Sequence, residues 1–222
     1  MRLWFKRMAG MLLIPWTRWY LRKQRTYVHG DVRIVVRHGV FHPGLFPSTP
    51  MLLETLKDQP LQGVRLLELG CGTGLISIIA AKRGAQVTAS DISTKALQNA
   101  EQNAYSNNVD IEFVRSDAFE NLAPIPFDWV IVNPPYYRGN PVDEASMAWY
   151  AGAKLEFFEK FYSGLSRYIH RDSRVLMSLT QECDLHGIHE IAIRHDFDWS
   201  IRSESVSLFD GRDYVFNIIS RH

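Results

Sequence analysis

Residues 64–84, VRLLELGCGTGLISIIAAKRG, decide the fold of this chain. Val64 to Leu69 form a short apolar run, the length of a buried strand. Three glycines at alternate positions follow (Gly70, Gly72, Gly74), and LISIIAAKR then carries the apolar spacing of a helix closed by Gly84. A strand running through a glycine loop into a helix is the first unit of a parallel sheet. The pattern continues downstream. Strands are expected at 85–91, 111–117, 127–133 and 174–180, and helices at 92–108, 156–169 and 185–195. Two alternating runs around Asp210-Gly211 form a closing hairpin. The chain therefore reads as α/β, a parallel sheet wound on both faces with an antiparallel hairpin at one edge.

Upstream, TYVHGDVRIVV turns at His29-Gly30-Asp31 as a short hairpin. Pro43 to Pro50 make a loop, and Met51 to Leu56 begin a helix with Ser48 or Thr49 as its cap. Residues 1–40 read as a helical and hairpin extension, and 41–222 as one domain. Lys and Arg total 25 against 24 acids, so no global field points to nucleic acid. Seven of those cations precede Asp31, where there is no acid. The arm MRLWFKRMAGMLLIPWTRWYLRKQR has too short an apolar core to span a bilayer, and a helix packed on the domain is preferred to a peripheral membrane contact. Two cysteines suit a reducing compartment, and a cytoplasmic location is expected. His186 and His189 lie three apart without a third ligand nearby, so no metal is expected.

The loop LELGCGTG (67–74) lacks the last glycine of G-x-G-x-x-G, because position 75 is Leu75, and it has no Gly-Lys-Ser/Thr phosphate cradle. Acids stand at the ends of three successive strands: Glu68, Asp91 and Asp117. Asp91 is placed to accept from ribose hydroxyls, and Asp117 from an exocyclic adenine amine. Such a rim repels pyrophosphate and favours an adenosyl ligand carrying a sulfonium and an amino group. Asp91 beside Ser93 has a rival reading as a helix cap.

The fourth strand ends in Asn133-Pro134-Pro135-Tyr136. Neither proline has an N–H, and Pro134 biases Asn133 toward extended backbone. The Asn133 side-chain carbonyl and the Pro134 backbone carbonyl can together accept both hydrogens of one planar –NH2, and the Tyr136 ring can stack on the group that carries it. Withdrawing those hydrogens enriches the nitrogen's lone pair and steadies the positive charge that grows on it.

With these residues the chain resembles the class I S-adenosylmethionine-dependent methyltransferases bearing an Asn-Pro-Pro-Tyr motif, in particular the release-factor glutamine methyltransferase (HemK-like) family. The resemblance covers roughly residues 40–220. It implies a doubly wound, seven-stranded Rossmann-like sheet, S-adenosylmethionine as cofactor with S-adenosylhomocysteine as product, and a macromolecular acceptor. Asn133, Pro134 and Tyr136 would be catalytic. Thr49, Glu68, Gly70, Cys71, Gly72, Gly74, Asp91, Ile92, Asp117, Ala118 and Asn133 would hold the cofactor. Pro43, Pro135, Tyr136, Tyr137 and Trp149 would shape the acceptor side, Trp149 through AWYAGAKLEFFEKF (148–161). A protein glutamine amide is the preferred acceptor. The alternatives are an exocyclic amine of adenine or guanine in RNA or DNA, met by Tyr137, Arg138 and the basic aromatic arm, and a non-catalytic cofactor-binding subunit. Tyr137 and Arg138 depart from the family's usual residues after the motif, and no N-terminal helical bundle is evident.

Overall fold

The computed structural model describes residues 23–142, 145–207 and 211–221. The basic aromatic arm, with Trp4, Trp16, Trp19 and Tyr20, and the hairpin tip at Asp210 lie outside the described residues. The chain forms β1 (Arg25–His29), β2 (Val32–Val36), α1 (Ser48–Leu56), β3 (Arg65–Leu69), α2 (Leu75–Lys82), β4 (Gln86–Asp91), α3 (Thr94–Ser106) and β5 (Glu112–Arg115). Then follow β6 (Phe127–Val132), α4 (Glu156–Leu165), β7 (Ile169–Thr180), α5 (Leu185–Arg194), β8 (Phe197–Ser207) and β9 (Gly211–Ser220).

Seven strands make one sheet in the order β5-β4-β3-β6-β7-β9-β8. β5, β4, β3, β6 and β7 are parallel to one another, and β9 runs antiparallel to both β7 and β8. The chain builds outward from β3 to one side and then returns to start the other side at β6. The strand order reverses between β3 and β6, and ligands of open α/β sheets bind beyond the strand ends at such a point. The expected mostly parallel, seven-stranded sheet with a C-terminal hairpin is what forms. Strand β7 begins earlier than expected, at Ile169, with an irregular register against β6 between Phe127 and Trp129.

The strands pack on both faces. Leu67, Leu69, Val130 and Val132 join Phe158, Phe161, Tyr162, Ile188 and Ile191 on one side. Leu66, Ala89 and Ile131 meet Leu52, Leu56, Leu75, Ile78 and Ala100 on the other. Removing such interlocked apolar area from water is the main stabilising contribution. The 25–36 hairpin forms where expected, turning at Gly30 with φ +58°. It is not part of the large sheet. Its Val32, Ile34 and Val36 are buried in the second cluster, against α2 and α3. Helix α1 begins at Ser48, three residues before the expected Met51. Pro47 is the N-cap, without a side-chain cap bond, and Ser48 and Thr49 lie buried in the first turn. Pro50 is tolerated there because first-turn N–H groups have no helical acceptor in any case.

Candidate active site

Beyond the carboxyl ends of β3, β4 and β6 lies a cavity of about 390 Å³, within the range of small-molecule sites. Its floor is the glycine loop. Gly70 and Cys71 both donate N–H to the Ser90 carbonyl, at 2.8 and 2.9 Å, which pins the loop to the end of β4. Gly70 has φ +72°, and a Cβ there would meet no protein atom within 4 Å, so that position opens on the cavity it lines. Gly74 serves a different need. At φ +75° its missing Cβ would stand 3.0 Å from the Ala100 Cβ, so glycine lets α3 pack directly on the loop. Of the expected glycines, Gly70 and Gly72 line the cavity while Gly74 backs it.

Asp91 ends β4 half-buried. Its Oδ2 accepts from Gly72 N–H and its Oδ1 from Ser93 N–H, both at 2.9 Å, so backbone donors hold the carboxylate in place at the cavity. The cap of α3 is Ser93 rather than Asp91: its side chain accepts from Ala96 N–H at 3.2 Å. Asp117 follows β5 and is gripped by Lys160 Nζ, which also reaches Glu120 at 2.9 Å. These carboxylates hold the Lys160 ammonium above its ordinary value. Lys160, from α4, is the one Lys or Arg among the described lining residues, and nothing in its sequence context marks it. Ala118 sits in the left-handed region at φ +49° beside Asp117, and Ile92 is exposed beside Asp91; both line the cavity, as do Thr49 and Pro43.

Glu68 is not the third acid of an exposed rim. It is 5% exposed beneath the loop, accepting from both the backbone N–H (2.9 Å) and the hydroxyl of Ser77. Burial, helped by the nearby Asp91 charge and opposed by the Ser77 bonds, pushes its carboxyl up to about 8. The acids that line the cavity without such burial are Asp91, Asp117 and Glu156. Burial likewise raises the Cys71 thiol well above its ordinary value, leaving it an apolar lining group.

Two carboxamides escaped sequence reading. Asn99 and Asn103 on α3 are fully buried. Asn103 accepts from Val35 N–H at 2.8 Å and donates to the carbonyls of Val35 and Thr73; Asn99 accepts from Arg37 N–H at 2.9 Å and donates to Val35 O. They take the place of a neighbouring strand along β2 and tie the hairpin to the glycine loop. Two asparagines four apart in a helix, where asparagine is a poor former, were the available signal.

On the acceptor side, Asn133, Pro134, Pro135 and Tyr136 all line the cavity. Among the described residues no donor reaches the Pro134 carbonyl. The Asn133 carboxamide is enclosed by hydroxyls. Its Oδ1 accepts from Tyr136 Oη and Ser178 Oγ, each at 2.6 Å, and its Nδ2 donates to Ser48 Oγ at 3.2 Å. Tyr136 is 5% exposed, so its ring is a wall of the core more than an open platform, and burial raises its phenol far above its ordinary value. Tyr137 and Trp149 do not line the cavity. Tyr137 is exposed and bridges to the loop before α4: its N–H donates to Trp149 O at 2.8 Å, and its carbonyl accepts from Ala151 N–H at 2.9 Å. Trp149 packs behind the wall on Phe41 and Phe46, with ring centroids 5.6 and 5.1 Å away. Arg138 is turned aside, its Nε donating to Asp184 at 2.7 Å. The same 137–152 segment sends Pro141, Met147, Ala148 and Tyr150 over the mouth, so the acceptor side is mainly apolar. His186 and His189 belong to separate pairs with Glu190 and Asp198, and among the described residues no group of three metal-binding side chains occurs. Among those residues no helix is long and apolar enough to cross a membrane.

These features fit S-adenosylmethionine: a loop floor in which Gly70 and Gly72 present no Cβ, carboxylates at adjacent strand ends, and no free cation in the described lining. Comparison with known proteins agrees. Residues 31–154 match the family model "Methyltransferase small domain". A Pasteurella multocida ribosomal RNA small subunit methyltransferase C is 40% identical over 121 residues, covering 52% of this chain and 36% of that protein. A Methanocaldococcus jannaschii protein named as a candidate protein N5-glutamine methyltransferase is 37% identical over 160 residues, covering 68% of this chain and 79% of that one. Among solved structures, the Thermus thermophilus 16S rRNA N2 G1207 methyltransferase, bound to S-adenosylmethionine and guanosine, superposes with a TM-score of 0.66 at 18% identity. That superposition covers 90% of this chain and 50% of the Thermus chain. This chain thus spans about a third of the Pasteurella protein and half of the Thermus one, but most of the archaeal relative. It belongs to the methyltransferase small domain family of class I, S-adenosylmethionine-dependent methyltransferases.

Proposed function

We propose that this chain methylates a planar nitrogen, and that its acceptor is a glutamine side-chain amide in a protein. The carrying observation is the Asn133 carboxamide, buttressed by three hydroxyls at the end of β6 on a cavity that Pro134 also lines. S-adenosylmethionine supplies an electrophilic methyl on a sulfonium. Asp91, held at the end of β4 by Gly72 and Ser93, would accept from the ribose hydroxyls. Asp117, steadied by Lys160, and the Ala118 backbone would face the adenine, with Ile92 and Thr49 packing around them. Glu68 and Ser77 would support the glycine loop from below. On the acceptor side, Asn133 Oδ1 and Pro134 O would each accept one amide hydrogen, which fixes the orientation of the nitrogen and makes its lone pair more available. Pro135, Pro141 and Met147 exclude water from that nitrogen.

The choice of a protein rests on the mouth's character. Its acceptor side is mainly apolar, and the one Lys or Arg among the described lining residues is paired with Asp117 and Glu120. Arg138, expected to meet a nucleic acid, is committed to Asp184. The relative matched over most of its length is named for glutamine methylation. The second reading, an exocyclic base amine, is favoured by the 40% identity to a ribosomal RNA methyltransferase. We also propose that 41–222 is the catalytic unit and that the 25–36 hairpin braces it through Asn99 and Asn103.

The test is transfer of radiolabelled methyl from S-adenosylmethionine into cell extract, split between protease and nuclease treatment. Label removed by protease and retained after nuclease, recovered as N5-methylglutamine after exhaustive enzymatic digestion, is expected. Label lost to nuclease would overturn the protein reading.

A further inference from the structure

Asn133 Oδ1 has both lone pairs filled, by the hydroxyls of Tyr136 and Ser178. An acceptor amide needs one of them. Tyr136 cannot readily yield: it lies within the motif's own turn, and its ring is packed in the core. Ser178 can. It stands on β7, next to β6 in the sheet, 1% exposed, and 45 residues from Asn133 in sequence. The Tyr136 and Ser178 hydroxyls converge on this one oxygen, and both Ser178 and Ser48 act on the Tyr136 phenol. The Tyr136 oxygen is therefore the neighbouring acceptor for the Ser178 proton. Turning one Oγ–H bond frees a lone pair on Asn133 without leaving a buried polar group unpaired, which would be the main penalty of any such rearrangement. No covalent bond changes.

We propose that Ser178 is a positioning residue: it fixes the Asn133 carboxamide while the acceptor place is empty, and transfers its proton contact to Tyr136 when the acceptor nitrogen arrives. Ser48, from the first turn of α1, holds the amide's other end. The three hydroxyls come from α1, the motif and β7, so the carboxamide is held from three directions that the sequence does not place together. The proposal rests on the amide-methylating reading for its kinetic consequence, though not for its structural one.

Two measurements on the full chain test it. In the first, exchange of the Asn133 side-chain amide protons with water is followed by NMR, without any acceptor. Ser178→Ala should speed that exchange about tenfold, the equivalent of one net hydrogen bond, while Ser178→Thr, which keeps the hydroxyl, should stay near wild type. Equal exchange in wild type and Ser178→Ala would overturn the proposal. In the second, kcat for methyl transfer should fall about tenfold in Ser178→Ala, with cofactor affinity unchanged, and Ser178→Thr should restore most of it. In an Asn133→Ala background, Ser178→Ala should cause no further loss, since a residue acting through Asn133 has nothing left to position. Additive losses would mean that Ser178 serves packing alone. Absence of transfer by wild type on glutamine peptides would sink the acceptor assignment, and the exchange measurement would still decide the role of Ser178.

Discussion

Replacing Glu68 by glutamine should flatten the dependence of stability on pH. The Glu68 carboxyl titrates near 8 in the fold, against an ordinary value of 4.5, because it is buried beneath the glycine loop. A raised value in the folded state means that the fold holds the proton more tightly than the unfolded chain does. The stability this confers is complete below pH 4.5 and is lost as pH climbs through about 8. The difference of about 3.5 units corresponds to roughly 5 kcal/mol across the whole range, of which about 4 kcal/mol falls between about pH 5 and 8. Glutamine has nearly the shape of the protonated acid and keeps an oxygen for the Ser77 N–H and hydroxyl, so it removes the titration and little else. The assay is urea unfolding of cofactor-free wild type and Glu68→Gln at half-unit steps of pH. Wild type should lose several kcal/mol relative to the variant on going from about pH 5 to 8, since every other ionisable group is common to both proteins and cancels in the difference. Parallel curves would refute a buried, proton-retaining Glu68.

Three further outcomes are expected. Gly74→Ala would set a Cβ against Ala100 at a left-handed position, so it should cost about 1–3 kcal/mol, read as a fall in Tm. Asn103→Ala leaves Val35 N–H and the Thr73 carbonyl without their partner; at about 1–3 kcal/mol per stranded group it should destabilise the chain and raise amide exchange in the 25–36 hairpin first. Asp91→Ala removes the acceptor of the Gly72 and Ser93 N–H groups, and calorimetry should show S-adenosylmethionine affinity down at least about tenfold with the fold retained.

The sheet was legible because each of its signals is local. The run from Val64 to Leu69, the alternate glycines and the apolar period of residues 75–83 each declare their element, and acids at successive strand ends locate the crevice. What stayed hidden depends on distance. Glu68 looked like its neighbours Asp91 and Asp117, and only the closure of α2 over it makes it a buried proton holder. Tyr136 read as an open ring because the motif lies in a turn, whereas the packing of α4 and β7 buries it. Ser48 read as a helix cap until Pro47 took that place and freed its hydroxyl for Asn133. Ser178 and Lys160 carry no mark of their own, since an ordinary serine in a strand and an ordinary lysine on a helix acquire their roles from partners some 40 residues away. Trp149 and Tyr137, expected at the acceptor, stand one layer back, where aromatic packing and backbone bridges shape the mouth that others line.

In the proposed reaction Asn133 works on the acceptor far more than on the cofactor. The most direct test is to measure S-adenosylmethionine affinity and methyl transfer side by side in wild type and Asn133→Ala. Affinity should stay within about threefold while transfer falls by about a hundredfold or more, the scale for losing a group that stabilises the transition state. Transfer persisting in the variant, or falling only as far as affinity does, would contradict the account.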